Sequence, residues 1–398
     1  MDGSKLAALT GLRLVAALCV VLAHSLDLVV FKDGPALSVL GVGLAYFGMS
    51  LFFVLSGFVI YFNYAPLFER LPAREAALRF AVARFARLYP LYAFFMLLSL
   101  ASIPLSRVPP MLPDLYLFVP MLQSWFLGDR QYPLMYTFGE VALTWSISTE
   151  LFFYILFPFL LLVRLPRIHR FLELPLLLVA TLVALVALYL AVPPLPTPYA
   201  QQWLVYFSPY CRIFEFIAGI LTARLYLSLR DAPVGAREAK IAGVVAMGCG
   251  YFIAASVMSA RNWTVQESFS FYDFIRPNLW NMPASVFLVF YVTRYESALR
   301  RLLSSRLAVA GGDASYSIYL LHFFILSHLY QPTRELSALS ALELIVRMAI
   351  YLLLTVAVAY GAYRVVEMPA RLWIRAAFDR RQKVTILSAR MQASRAPE

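Results

Sequence analysis

The stretch GLRLVAALCVVLAHS, residues 11–25, is apolar throughout except for Arg13, His24 and its closing serine. It sits inside a longer run, 8–31, which exceeds the roughly 20 residues a helix needs to cross the hydrocarbon layer. Arg13 and His24 are 11 positions apart. That is almost three whole turns at about 3.6 residues per turn, so both project from one helical face. About 16 Å of helix rise separates them, placing one near a membrane surface and the other more than halfway across. Ionisable groups inside a span are costly, face the bundle interior and mark functional paths. A snorkelling or orienting charge at Arg13 and a buried, neighbour-satisfied histidine at His24 are the plainer alternatives. Asp27, about one turn further on, is placed to hold the imidazole.

Runs of this kind recur along the chain. Hydrophobic residues make up 62% of the 398 and charged residues 14%, against about 25% charged in a soluble domain. So little polar surface cannot wrap such a core in water, and the chain reads as an all-α polytopic membrane protein. About ten spans are predicted, near 8–31, 38–64, 85–105, 144–164, 172–192, 203–226, 239–259, 276–293, 313–330 and 341–366. Loops on one side collect most of the arginines, from Arg70, Arg74 and Arg79 through Arg164, Arg230 and Arg300, together with the tail RLWIRAAFDRRQK. The other side holds Lys32, Arg107, Arg130, Arg261, Arg276 and Arg334. The positive-inside rule then places both termini in the cytoplasm. The net charge of +12 is topology and attraction for anionic lipid heads, with no nucleic-acid partner implied.

The first run carries Arg13 and lacks a small-residue cleavage site, so it is read as a retained span. Cys19, Cys211 and Cys249 fall inside spans as small packing residues. His24, His169, His322 and His328 are scattered without ligand spacing, so no metal is predicted. No internal repeat is visible. The segment LFERLPAREAALRFAVARFARLYP, 67–90, is predicted to lie on the cytoplasmic surface before turning into the third span. In the external connection 106–143, the piece LYLFVPMLQSWFL is too short to span and is broken by Pro120, which suits an interfacial or re-entrant element. The aromatic stretch NWTVQESFSFYDFIRPNLW suits an interfacial anchor.

Further polar residues are embedded in apolar surroundings. LFFVLSGFVIYF puts Ser56 and Gly57 mid-span, where small residues let helices approach. ARFARLYPLY sets Arg84 and Arg87 three apart at a helix entrance, a pairing suited to phosphate and equally to ordinary positive-inside placement. TWSISTELFFY opens a span with Trp145, Ser146, Ser148 and Glu150; capping explains the hydroxyls better than the carboxylate. DASYSIYLLHFFILSH adds Ser315, Tyr316, Tyr319, His322 and His328, and YRVVEMPARLW closes with Glu367.

Taken together and in this order, these blocks resemble the membrane-bound acyltransferase-3 family of bacterial O-acyltransferases. Its basic residue, ten intervening positions and histidine match Arg13 and His24, and FFVLSGFVI, RFARLYP, WSISTELFFY, SYSIYLLH and VEMPARLW look like family blocks. Thr149 stands where members often carry Val. The resemblance implies an acyltransferase-3-like transmembrane domain over 1–375, a basic cytoplasmic tail over 376–398, and no appended extracytoplasmic esterase-like domain. It also implies transfer of an acyl group, usually acetyl, from cytoplasmic acyl-CoA as cosubstrate to a hydroxyl of a glycan or lipid-linked glycan at the bacterial inner membrane. Arg13, Arg84 and Arg87 would hold the donor's phosphates. His24 would act as general base, oriented by Glu150 or Asp27, with oxyanion or cavity roles for Ser56, Trp145, Ser148, Tyr316 and His322. An antibiotic-like glycoside is the alternative acceptor. A proton-coupled transporter or flippase using Arg13 and His24 is the rival class, and an idle scaffold a third. Oligomeric state, including a homo-oligomer, is left open.

Overall fold

The structure, a computed structural model, describes residues 3–26, 35–102, 112–127, 141, 143–162, 170–191, 198–259, 271–330 and 341–393. The elements among them are helical. α1 (Gly3–Ser25), α2 (Pro35–Arg70) and α3 (Ala73–Ser102) precede the short α4 (Leu112–Phe118). α5 (Trp145–Leu162), α6 (Arg170–Ala191) and α7 (Pro198–Gln202) lead through a π turn, Trp203–Phe207, into α8 (Pro209–Leu229) and α9 (Ala236–Met258). Next come α10 (Phe271–Ile275), a π turn at Arg276–Trp280, α11 (Met282–Arg294), α12 (Ala298–Leu303) and α13 (Arg306–Asp313). α14 (Ser315–Phe324) continues as a π segment, Ile325–Tyr330. α15 (Ala341–Ala362), a last π turn at Tyr363–Glu367 and α16 (Met368–Ala393) complete the described part.

Eight helices among the described residues are long and apolar enough to cross a membrane, or nine if α13 and α14, bent by 63°, form one broken span. The chain is a multi-pass membrane protein. The span expected at 276–293 takes a different form: α11 has 13 residues, too few to cross alone, and the polar sequence Arg276-Pro277-Asn278 opens the π turn before it. The stretch 67–90 is not a separate surface helix. Leu71 and Pro72 end α2, and α3 then runs unbroken for 30 residues. At about 1.5 Å per residue that is some 45 Å, longer than the hydrocarbon layer, so a single helix carries both the basic entrance and the apolar span. α16 likewise runs through residue 376 without a break.

α2 and α8 form the centre. They bury 78% and 72% of their most apolar windows, whereas α6 and α9 bury 11% and 17% and face lipid. The close packing of the central pair rests on Gly57 and Gly219, where an added Cβ would overlap the backbone carbonyls of Phe216 and Val54. α1 lies against α2, α13 and α14. α4 and the turn after it fold back onto the start of α5. Gln123 Nε2 donates to Thr144 Oγ1 at 2.8 Å, Ser124 Oγ bonds Ser148 Oγ at 2.9 Å, and both side chains are buried. Irregular backbone inside a membrane protein needs such partners. The same need is met at the π turns: Arg212 donates to the carbonyls of Tyr206 (3.0 Å) and Pro277 (2.5 Å), and Asn278 to that of Val205 (2.6 Å).

Asp27, Lys32, Arg107, Arg130, Arg164, His169, Arg261 and Arg334 lie outside the described residues, as does most of 106–143. Replacing Gly57 or Gly219 by leucine should force α2 and α8 apart and cost at least about 1–3 kcal/mol. Thermal unfolding in detergent should register a clear drop for either variant, while Gly243→Leu, on open surface, should leave the midpoint in place.

Candidate active site

α1 and α14 each carry a polar stripe at helical spacing. On α1 its polar members are Arg13 and His24, with Ala17 and Val20 between them on the same face; on α14 it runs Ser315, Tyr316, Tyr319, His322. The two stripes meet at their histidines. His322 Nε2 lies 3.2 Å from His24 Nδ1, with ring centroids 5.1 Å apart.

The neighbouring carbonyls fix where the protons sit. His24 Nδ1 is 2.9 Å from the Val20 carbonyl, and His322 Nδ1 is 2.6 Å from that of Tyr319. A carbonyl oxygen can only accept, so in the neutral rings each Nδ1 carries the hydrogen. His322 Nε2 is then a lone pair, and it shares the His24 Nδ1–H with the Val20 carbonyl. This leaves His24 Nε2 unprotonated, the form in which an imidazole acts as a base. Tyr351 further holds the His322 carbonyl through its hydroxyl at 3.1 Å.

At the Arg13 end the stripes open into a cavity of about 50 Å³ lined by Arg13, Arg87, Ser146, Glu150, Tyr154, Tyr316 and Tyr319, among others. A water needs about 10–15 Å³ on this measure, so the space suits a few waters or a short acyl group and not a whole nucleotide. His24 is not part of its wall. Tyr319 stands between, lining the cavity with its ring centroid 6.0 Å from that of His322.

Charge is concentrated here. Arg13, Arg84 and Arg371 all lie close enough to Arg87 to repel it, while Glu150 and Glu367 supply the opposing carboxylates. Arg87 forms a buried ion pair with Glu367, whose other oxygen accepts from Ser317 Oγ at 2.7 Å. Arg84 donates to the Tyr64 hydroxyl at 2.6 Å and lies over the Tyr64 ring at 4.7 Å. Arg13 has no ion-pair partner among the described residues. Four arginines against two carboxylates leave an excess of positive charge where an anion would bind.

The sequence-predicted residues thus separate into groups. Arg13, Arg87, Glu150 and Tyr316 share the cavity wall, Arg84 adjoins it through Tyr154, and His24 pairs with His322. Glu150 is bonded by Ser56 Oγ at 3.0 Å and has no hydrogen bond to His24; Asp27 is not described. The partner of the His24 imidazole in the described structure is therefore a second histidine. The Tyr316 hydroxyl is committed to the Leu88 carbonyl at 2.8 Å, and Ser148 to Ser124. Trp145 does not line the cavity but packs on Phe53, which does, and on Tyr206 and Phe207. The sequence reading did not single out Tyr154 and Arg371 at the site, nor the fully buried pair Arg212–Glu215, 3.0 Å apart on α8. Tyr154 follows Glu150 by one helical turn, and Arg212 precedes Glu215 by three positions in an apolar helix, so both were readable as i,i+3 or i,i+4 pairs. Among the described residues, no group of three or more His, Cys, Asp or Glu is placed to hold a metal ion.

Comparison with known proteins agrees with this arrangement of blocks. The family model described as an acyltransferase domain matches residues 6–364. The chain belongs to the acyltransferase-3 family. This membrane acyltransferase is 27% identical over 341 residues to acyltransferase MdmB of Streptomyces mycarofaciens, covering 81% of the chain and 80% of that relative. It is 24% identical over 376 residues to the peptidoglycan O-acetyltransferase OatA of Listeria monocytogenes, covering 91% of the chain and 55% of OatA's length. The chain therefore spans about half of OatA. No solved structure matches. The matched range ends before Glu367 and α16.

Truncating one member of a buried ion pair strands the other charge at a cost of about 3–5 kcal/mol. Glu367→Met should therefore destabilise the acyltransferase strongly. Arg87→Met/Glu367→Met should recover most of the loss in a detergent melt; a double variant no more stable than Glu367→Met would contradict a stranded Arg87 charge as the cause.

Proposed function

We propose that this acyltransferase moves an acyl group, acetyl in the simplest case, from cytoplasmic acyl-CoA to a hydroxyl of a cell-envelope or exported glycan at the bacterial inner membrane. The observation that carries the reading is the carbonyl-fixed histidine pair, with a base on one stripe and an electropositive cavity at the other end of it. The arginine-rich connections argue that the cavity end faces the cytoplasm, where acyl-CoA is found. The excess positive charge suits a phosphate-bearing donor, and the name of OatA supports a glycan hydroxyl as acceptor.

In the reaction, His24 Nε2 takes the proton of the acceptor hydroxyl as its oxygen attacks the thioester carbonyl carbon. The tetrahedral centre collapses with cleavage of the C–S bond, and the departing thiolate of CoA takes the proton back from the imidazolium. His322 Nε2, accepting from His24 Nδ1–H, keeps Nε2 as the basic atom and stabilises the transient cation. A positioned base of this kind contributes roughly 10²–10⁴-fold. Tyr319 lies between cavity and histidines, so the acyl end must pass its ring to reach His24.

The test supplies purified protein with radiolabelled acetyl-CoA and a peptidoglycan or lipid-linked glycan acceptor. His24→Ala should lose transfer by at least about 10²-fold, while His322→Ala should lose less and show an altered pH profile. Undiminished transfer by folded His24→Ala would overturn the assignment of the base. Wild-type protein that neither binds nor consumes acetyl-CoA would overturn the donor.

A further inference from the structure

A second cleft, separate from the histidine pair, opens between the end of α2, the basic first half of α3 and α16. Its volume is about 290 Å³, and its wall includes Asn63, Tyr64, Arg79, Arg375, Phe378 and Asp379. That approaches the lower end of ligand-pocket sizes, about 300 Å³, and is several times the inner cavity. We propose that this outer cleft holds the nucleotide end of the donor, an adenosine carrying phosphates, while the inner cavity takes the acyl end. The proposal rests on acyl-CoA being the donor and names a subsite for it.

Three features of the cleft carry this. First, its chemistry is mixed in the way a nucleotide requires. Arg79 and the exposed Arg375 supply charge for phosphate, Tyr64 and Phe378 supply aromatic faces for a base, and Asn63 and Asp379 supply acceptors for amino or ribose hydroxyl groups. Second, two of the three arginines expected to bind phosphate nearer the base are engaged elsewhere. Arg87 is paired with Glu367, and Arg84 NH2 is bonded to Tyr64. Arg375 has no ion pair among the described residues, and the Arg79 side chain, although bonded to Glu75 and Gln382, is still 38% exposed.

Third, the walls of the two spaces are in contact. Tyr64 forms part of the outer wall and holds Arg84, which lies 5.6 Å from the Tyr154 ring, and Tyr154 lines the inner cavity. Arg84 Nε is buried at this junction with no hydrogen-bond partner. An orphaned guanidinium N–H between two cavities is a donor waiting for an acceptor, and a donor molecule threaded from one space to the other would supply it. Along α3, about 12 Å of helix rise separates Arg79 in the outer cleft from Arg87 in the inner cavity, a span for the thin arm of CoA. The α16 wall lies beyond residue 364, outside the family match.

The test compares wild type with Arg375→Ala and with the cleft-filling Ala83→Trp, measuring acetyl transfer from acetyl-CoA and from S-acetylpantetheine, a thioester without the nucleotide. KM for acetyl-CoA should rise about tenfold in each variant, as for one charge-assisted contact. With S-acetylpantetheine the three proteins should be equally poor. Adenosine 3′,5′-bisphosphate should compete with acetyl-CoA on the wild type and about tenfold more weakly on Arg375→Ala. An unchanged KM for acetyl-CoA in both variants overturns the subsite while leaving the donor reading intact. Saturation of the cleft by phosphatidylglycerol with no competition from the bisphosphate overturns it in favour of a lipid site. A wild type that transfers from neither thioester overturns the donor reading itself, and the subsite with it.

Discussion

Inside a hydrocarbon layer a charge must bring its partner with it, and the buried pair between Arg87 and Glu367 shows how far that requirement shapes this chain. The two residues are 280 positions apart, and with Ser317 they tie α3, α14 and the π turn before α16 into one knot. Leaving either charge unpaired in an apolar surrounding is costly, so the helices must meet where the charges meet. The same demand organises the opposite region, where Arg212 and Asn278 satisfy carbonyls released by two π turns. Apolar surface does little to choose between neighbours when lipid is equally apolar, so polar contacts and glycine-scale approach do the choosing. Gly57 against Gly219 is the steric half of that rule and the Arg87 knot its electrostatic half.

Much of this was legible in the chain itself. Composition alone called for an all-helical membrane protein, and the 11-residue spacing of Arg13 and His24 called for one shared face. What spacing within a single helix cannot reveal is which residue of another helix will meet that face. His24 therefore had two acidic candidates as partner, Glu150 and Asp27, and the described structure gives it His322, 298 positions away. Ser148 and Tyr316 looked like free hydroxyls in an apolar helix for the same reason; their partners, Ser124 and the Leu88 carbonyl, come from segments whose folding back is a tertiary event. The stretch 67–90 was misread for a different cause. Its amphipathic pattern is compatible with a helix lying on a surface or with the end of a long helix rising from it, and only the break at Leu71 and Pro72 decides.

The site gains a division of labour from these contacts. Carbonyl oxygens of Val20 and Tyr319 set both imidazole tautomers, so the proposed base requires no acid beside it to direct its lone pair. The cavity at the Arg13 end is small, with an excess of cationic groups, and a single aromatic ring separates it from the histidines. On the proposed reading, the bulk and charge of the donor are handled at a distance from the reacting atoms, which favours alignment of a short acyl group over recognition of it.

The most direct test of the central claim is affinity labelling with bromoacetyl-CoA followed by peptide mass spectrometry. Its electrophilic carbon occupies the place of the acyl group, so the account predicts alkylation of His24, through Nε2, that is suppressed by excess acetyl-CoA. Labelling confined to Cys19 or to surface residues, with His24 unmodified in protein that binds acetyl-CoA, would contradict it.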